Sequence, residues 1–294
     1  MKKWQMILLG IVFLVSILGW KAEPLMLAFF ANQIEKTSID ERVALIKNDV
    51  EIRLPTKGTA PFPVVLQFHG CAGVRPEFQH QWADVATEAG YAAIIVDSMS
   101  PRGYSRQKAL DIVCSGKALI GQERAGDVLA AIKIVENDPR LDETKIIAAG
   151  WSHGAWSLMD YLTLDMKTRF PAGIKEATPA AALKGAIVFY PYCGRGSRSR
   201  FDQWKQDLPV LALIAGEDTI VNADECISYF QGRQKKRDGT ELVVYPGAEH
   251  VFDDPFLEPD YIHWYNEEYF NDAKTRYRRF LDTLSNNANQ GVAP

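Results

Sequence analysis

The sequence has no marked excess of charge, no internal repeat, no long low-complexity stretch and no closely spaced cysteine pair, and each absence removes a class of function. Lysine plus arginine number 33 against 37 aspartates plus glutamates, a formal net charge of -4 over 294 residues. The basic residues are scattered, so the chain lacks the electrostatic footprint of a nucleic-acid binder. Without repeats it is neither a solenoid nor a propeller, and a hydrophobic content of 47% argues against disorder. The four cysteines, Cys71, Cys114, Cys193 and Cys226, form no C-x-x-C, so a zinc site is not expected. The partner these exclusions leave is a small neutral or mildly charged molecule.

What is present begins with "MKKWQMILLGIVFLVSILGW", two lysines ahead of an apolar run from Met6 to Trp20. That is the pattern of an export signal. No clean small-x-small cleavage site follows, so residues 1–30 read either as a signal peptide or as a retained membrane anchor at the short limit for a spanning helix. In both readings the rest of the chain is exported, periplasmic or extracellular, and any membrane attachment comes through this segment. An even number of cysteines in an exported chain favours disulfides over buried free thiols. Cys71 with Cys114 and Cys193 with Cys226 are the sequence-local pairings.

Val50, Ile52 and Leu54 alternate with charged residues, the period of a half-buried strand at an antiparallel edge, and "KND" before them can turn a hairpin. From Val64 onward the apolar runs become nearly continuous: "PVVLQF", "YAAIIVD", "TKIIAAG", "KGAIVFY", "PVLALIAG" and "ELVVYPG". Such runs belong to strands buried on both faces, as in a parallel sheet flanked by helices. Helices are expected over Phe78 to Ala89, Ala118 to Asn137, Ser152 to Leu164, Asn222 to Arg237 and Tyr261 to Leu284. One α/β domain over residues 31–285 is the simplest organisation, with 286–294 a flexible polar tail.

Between "TKIIAA" and a helix-forming run, Gly150, Ser152 and Gly154 make a G-x-S-x-G turn. A strand entering a helix through such a turn projects the serine hydroxyl above the strand ends. By itself the turn leaves two roles for Ser152, nucleophile or helix cap. A serine nucleophile needs a base and a carboxylate to orient that base, and both follow in order. "LIAGEDTIV" places Asp218 after one strand, with Glu217 beside it and Asp224 in reserve, and "VVYPGAEHVF" places His250 after the next. His69, His80, His153 and His263 suit the base less well by position. The oxyanion donors are expected to be the amides of His153 and of Cys71 in "QFHGCAG", with Ala72 the neighbour of Cys71. Arg102 and Trp151 are candidates for contact with substrate. Arg102 is alternatively a structural arginine paired with Asp97 or Glu123, and "DYIHWYNEEYF" either covers the pocket mouth or packs a terminal helix.

In that order "FHGCAG", "DSMSPRG", "GWSHG", "YPYCG", "GEDTIV" and "GAEHVF", spanning Val64 to His250, resemble the dienelactone hydrolase family. The resemblance implies an α/β-hydrolase fold and an acyl hydrolase that needs no metal or organic cofactor. The namesake enzymes carry cysteine as nucleophile, so Ser152 implies a general ester substrate rather than their lactone. Acyl transfer, peptide cleavage and an inactive binding scaffold are the alternatives.

Overall fold

The computed structural model describes residues 34–165, 171–176, 179–236 and 239–290. The leader, and so the choice between signal peptide and anchor, lies outside the described residues. Among the described residues fourteen principal elements run in the order α1 (Ile39–Ile46), β1 (Val50–Arg53), β2 (Phe62–Phe68), α2 (Pro76–Glu88), β3 (Ala92–Val96), α3 (Arg106–Ile112), α4 (Gly121–Glu136), β4 (Leu141–Trp151), α5 (His153–Leu162), β5 (Leu183–Phe189), β6 (Val210–Ala215), α6 (Ala223–Lys235), β7 (Thr240–Tyr245) and α7 (Glu267–Gln290).

The strands form one sheet in the order β1-β3-β2-β4-β5-β6-β7. Only β1 is antiparallel, pairing Val50 with Val96 and Arg53 with Ala93. The other pairs are parallel, with Leu66 opposite Ile94 on one side and Ala148 on the other. Alternation along β2 explains why both faces must be covered, because successive side chains point to opposite sides. Val64, Leu66 and Phe68 join the core beneath α1, α4, α5 and α6. Val65 joins the opposite core, with Trp82 of α2 and Tyr277 and Leu281 of α7. The fold is therefore the expected α/β-hydrolase architecture, a mostly parallel sheet flanked by helices.

Three local expectations change. "KND" is a 3-10 turn that closes α1 rather than a hairpin. Tyr261 to Leu284 is not one helix, because Tyr265 is extended between a 3-10 turn at Ile262–Trp264 and the start of α7. That helix also continues to Gln290, past the boundary expected for the tail.

Both sequence-local disulfides are formed, Cys71–Cys114 across 43 residues and Cys193–Cys226 across 33. The first ties the loop after β2 to the end of α3, and the second ties the loop after β5 to α6. Closing a loop of 43 residues removes about 4 kcal/mol of chain entropy from the unfolded state. Replacing both Cys71 and Cys114 by serine should accordingly lower the unfolding free energy in a urea titration by about 2–4 kcal/mol. An unchanged midpoint would mean that this link constrains nothing.

Candidate active site

The G-x-S-x-G turn is built by steric necessity. Ser152 sits at φ 53° and ψ -114°, in a positive-φ region that L residues rarely enter. A Cβ on Gly150 would stand 2.6 Å from the Ala155 nitrogen, and one on Gly154 would stand 2.0 Å from the Phe68 carbonyl oxygen. Neither position admits a side chain, and the close approach at Gly154 presses the start of α5 against the end of β2. The Ser152 N–H donates to the Phe189 carbonyl at 2.9 Å, which anchors the turn to β5. Although Ser152 occupies the cap position of α5, its side chain makes no capping bond. The hydroxyl is left for another partner.

That partner is His250, whose Nε2 lies 2.9 Å from Ser152 Oγ. On the far side of the ring, Nδ1 lies 2.6 Å from Asp218 Oδ2. The other oxygen, Asp218 Oδ1, accepts the Ile220 and Val221 amides at 2.9 Å each. These two donors lock the carboxylate, leaving Oδ2 aimed at the imidazole. Of the alternatives, Asp224 lies in the first turn of α6, and Glu217 donates its amide to the Ala248 carbonyl at 2.9 Å.

The loop after β2 faces the serine, since a Cβ on Gly70 would lie 3.7 Å from Ser152 Cβ. Cys71 follows in that loop and is fixed by its disulfide. His153 is the first residue of α5, so its amide has no acceptor within the helix. Both segments are held from behind by Arg124, which is fully buried. Its Nη1 donates to the His69 carbonyl at 2.8 Å and to His153 Nδ1 at 3.1 Å, and its Nε donates to Ser98 Oγ at 3.0 Å. Burial pulls this guanidinium down to about 10, so it stays charged at neutral pH. Burial first, and then the Arg124 charge, lowers the pKa of His69 and His153. His69 Nε2 accepts the Ser98 amide at 3.1 Å, so the proton sits on Nδ1, 2.6 Å from the Gly70 carbonyl.

The two residues expected to touch substrate are engaged within the protein. Trp151 is 1% exposed and stacks on Phe189 at 5.0 Å, because strand alternation turns it into the core. Arg102 is committed to Asp127 at 2.8 Å and to the Ser98 carbonyl at 2.7 Å. Its hydrogen-bonded carboxylate is Asp127 rather than Asp97 or Glu123, although the Glu123 charge also acts on it. Arg42 reaches the same Asp127 oxygen at 3.0 Å, and this double contact holds the Asp127 pKa down to about 2 despite complete burial. Among the described residues there is no group of three side chains able to hold a metal ion.

The segment 190–200 runs out of β5 beside the serine and is fastened at two points. One is the Cys193–Cys226 disulfide. The other is Asp160 of α5, whose Oδ1 accepts the Arg198 and Ser199 amides at 2.7 and 3.1 Å and the Ser197 hydroxyl at 3.3 Å. Burial pushes Asp160 up to about 7 from its ordinary 3.8, although these hydrogen bonds oppose the shift. A carboxyl whose folded pKa is raised binds more protons in the native state, so its contribution to stability is lost as pH rises from about 4 through 7. The unfolding free energy should therefore decline between pH 5 and pH 7, and Asp160→Asn should flatten part of that slope in urea titrations. An unaltered slope would show that Asp160 titrates normally.

Neither Arg124 nor Asp160 belongs to a motif that the sequence displays. The local signal for Arg124 is a charge that shares the run "RAGDVLAAIKIV" with Asp127 and Lys133.

The dienelactone hydrolase family model matches residues 50–285. Solved structures covering most of the chain include one assigned as a dienelactone hydrolase from Klebsiella pneumoniae, at TM-score 0.60 and 20% identity over 79% of this chain and 91% of that one. Est1E from Butyrivibrio proteoclasticus, solved with ferulic acid, gives 0.53 and 16% over 79% and 93%. A Thermogutta terrifontis esterase, solved with propionate, gives 0.55 and 16% over 79% and 89%. At these identities the structures share the fold alone. Curated sequences assigned as dipeptidyl-aminopeptidase B from two Aspergillus species are 28% identical over 93 residues. That match spans 32% of this chain and only 10% of theirs. From the family match over most of its length, the chain belongs to the dienelactone hydrolase family.

Proposed function

We propose that the protein is an exported serine esterase working through an acyl-enzyme. In this mechanism Ser152 Oγ attacks the ester carbonyl while His250 Nε2 takes its proton. Asp218 orients the imidazole and stabilises the imidazolium that forms. The oxyanion is received by the amides of Cys71 and His153. His250 then protonates the leaving alcohol, and water resolves the acyl-enzyme by the same route in reverse. The observation that carries this reading is the unbroken line from Ser152 Oγ to His250 at 2.9 Å and on to Asp218 at 2.6 Å.

Export is supported by the leader-like start of the sequence and by two disulfides, which persist in oxidising compartments. Among the described residues no helix is long and apolar enough to cross a membrane.

Peptide cleavage is the second reading, favoured by the partial match to dipeptidyl-aminopeptidase B. The same three side chains serve either leaving group. An inactive binding scaffold is disfavoured because none of the three is missing. Turnover of p-nitrophenyl esters spanning short and aromatic acyl groups, compared with matched p-nitroanilide amides, separates these readings. The esterase proposal expects ester turnover with amides slow or silent. Preferential amide cleavage would replace it with the peptidase reading.

A further inference from the structure

Asp253 is a fully buried carboxyl three residues beyond His250, with no part in the mechanism above. Its two oxygens are divided between two aromatic donors. Trp151 Nε1 donates to Oδ2 at 3.1 Å, and the Tyr190 hydroxyl donates to Oδ1 at 2.7 Å. The backbone carbonyl of Asp253 also accepts Gln81 Nε2 of α2 at 3.2 Å.

These partners all border the reacting pair. Trp151 immediately precedes Ser152 on β4. Tyr190 follows Phe189, whose carbonyl accepts the Ser152 amide at 2.9 Å. The Tyr190 ring lies against the imidazole of His250, with centroids 4.6 Å apart. One carboxyl thus joins the strand carrying the serine, the adjoining end of β5 and the loop carrying the histidine.

Backbone strain gathers at the same place. Ser152 at φ 53°, Tyr190 at φ 33° and Val251 at φ 56° are non-glycine residues at positive φ. Such conformations persist only where the surroundings over-determine them, and Asp253 bonds to Tyr190, bonds to the neighbour of Ser152 and shares a loop with Val251. The carboxyl is also costly to bury. The other side chains acting on it are Tyr190, Asp254 and Trp151, none of them basic, and burial pushes it up to about 7. Asp254, beside it, pairs instead with Arg75.

We propose that Asp253 is a positioning residue for the reaction. By holding Trp151 and Tyr190 together it fixes the separation between Ser152 Oγ and His250 Nε2, with the Tyr190 ring as the wall that keeps the imidazole in line. The inference rests on the serine-esterase reading. An ångström of misplacement at a reacting pair costs on the order of 100-fold in rate.

The test compares Asp253→Ala, Asp253→Asn, Tyr190→Phe and the double variant Asp253→Ala/Tyr190→Phe in the full-length protein. Three readouts are needed: kcat and KM on a p-nitrophenyl ester, active-site concentration by fluorophosphonate titration, and Tm. Asp253→Ala is expected to lower kcat per titrated site by on the order of 100-fold, with KM changed less than about threefold. Asp253→Asn keeps an acceptor for Trp151 and can donate its amide to the tyrosine oxygen, so it should recover most of that loss. Tyr190→Phe should lower kcat in the wild type and add little in the Asp253→Ala background, because the two act as one unit. An unchanged kcat per titrated site, with only Tm or the titratable fraction reduced, would overturn the proposal. Additive effects of the two substitutions would overturn it as well. If Asp253→Ala does not fold, the comparison of wild type with Asp253→Asn and Tyr190→Phe decides, and normal kcat in both overturns it. A wild-type protein silent toward ester and fluorophosphonate would instead overturn the esterase reading on which the proposal stands.

Discussion

Replacing Ser152 with alanine is expected to lower kcat toward esters by on the order of 10⁶-fold, the scale on which triad enzymes lose rate with their nucleophile. The fold should be indifferent to the change. The hydroxyl makes no capping bond to α5, and its partner is His250 at 2.9 Å. Alanine keeps the positive φ and its strain, so Tm should stay close to that of the wild type. Ser152→Gly makes a sharper companion. Glycine adopts φ 53° without the Cβ penalty, so the same loss of activity should come with a gain of about 1 kcal/mol in stability. A drop in Tm for both variants would mean that the serine is structural after all. Residual ester turnover within tenfold of wild type would remove it from the chemistry.

Asp218→Asn should cost about 10⁴-fold in kcat with KM little altered. The expectation follows from how the carboxylate is held. Its Oδ1 accepts the Ile220 and Val221 amides at 2.9 Å, and asparagine would keep its carbonyl oxygen there. The amide nitrogen then falls where Oδ2 now sits, 2.6 Å from His250 Nδ1. Facing a donor, Nδ1 must become an acceptor, which moves the imidazole proton to Nε2 and points it at Ser152. In that tautomer the histidine cannot take the serine proton. Ester kinetics and Tm together test this, with stability expected to change far less than rate. A loss below tenfold would show that the carboxylate does not set the tautomer, and Glu217 would then need the same test.

Much of this arrangement was legible in the sequence because parallel strands write themselves as continuous apolar runs. Once "TKIIAA", "LIAG" and "VVYPG" are strands, Ser152, Asp218 and His250 all fall at their carboxyl ends, and the three side chains meet. Adjacency in the chain is a poor guide at one position. Trp151 adjoins the serine in sequence, yet alternation along β4 sends its ring into the core. Helices α1 and α3 escape a reading by periodicity for different reasons: α3 buries only Ala109, whereas α1 does space Ile39, Val43 and Ile46 on one face but runs for just eight residues and buries Arg42 among them.

The buried polar residues were the least legible. Arg124, Asp160 and Asp253 act through partners 26 to 55, 37 to 39 and 63 to 102 positions away. No local periodicity encodes such partners. Their positions look like ordinary helix or loop sites until the sheet brings the chain segments together. The disulfides fall between these cases. Pairing by sequence proximity succeeded because each bond joins a site-bordering loop to a helix end or helix nearby in the chain.

Mass spectrometry of the fluorophosphonate-treated protein reads whether Ser152 is the nucleophile, since the reagent phosphonylates an activated serine. One adduct per chain is expected, mapped to the peptide containing Gly150 to Gly154 and absent from Ser152→Ala. An unmodified wild-type protein that still hydrolyses esters, or an adduct on another residue that persists in Ser152→Ala, would contradict the account.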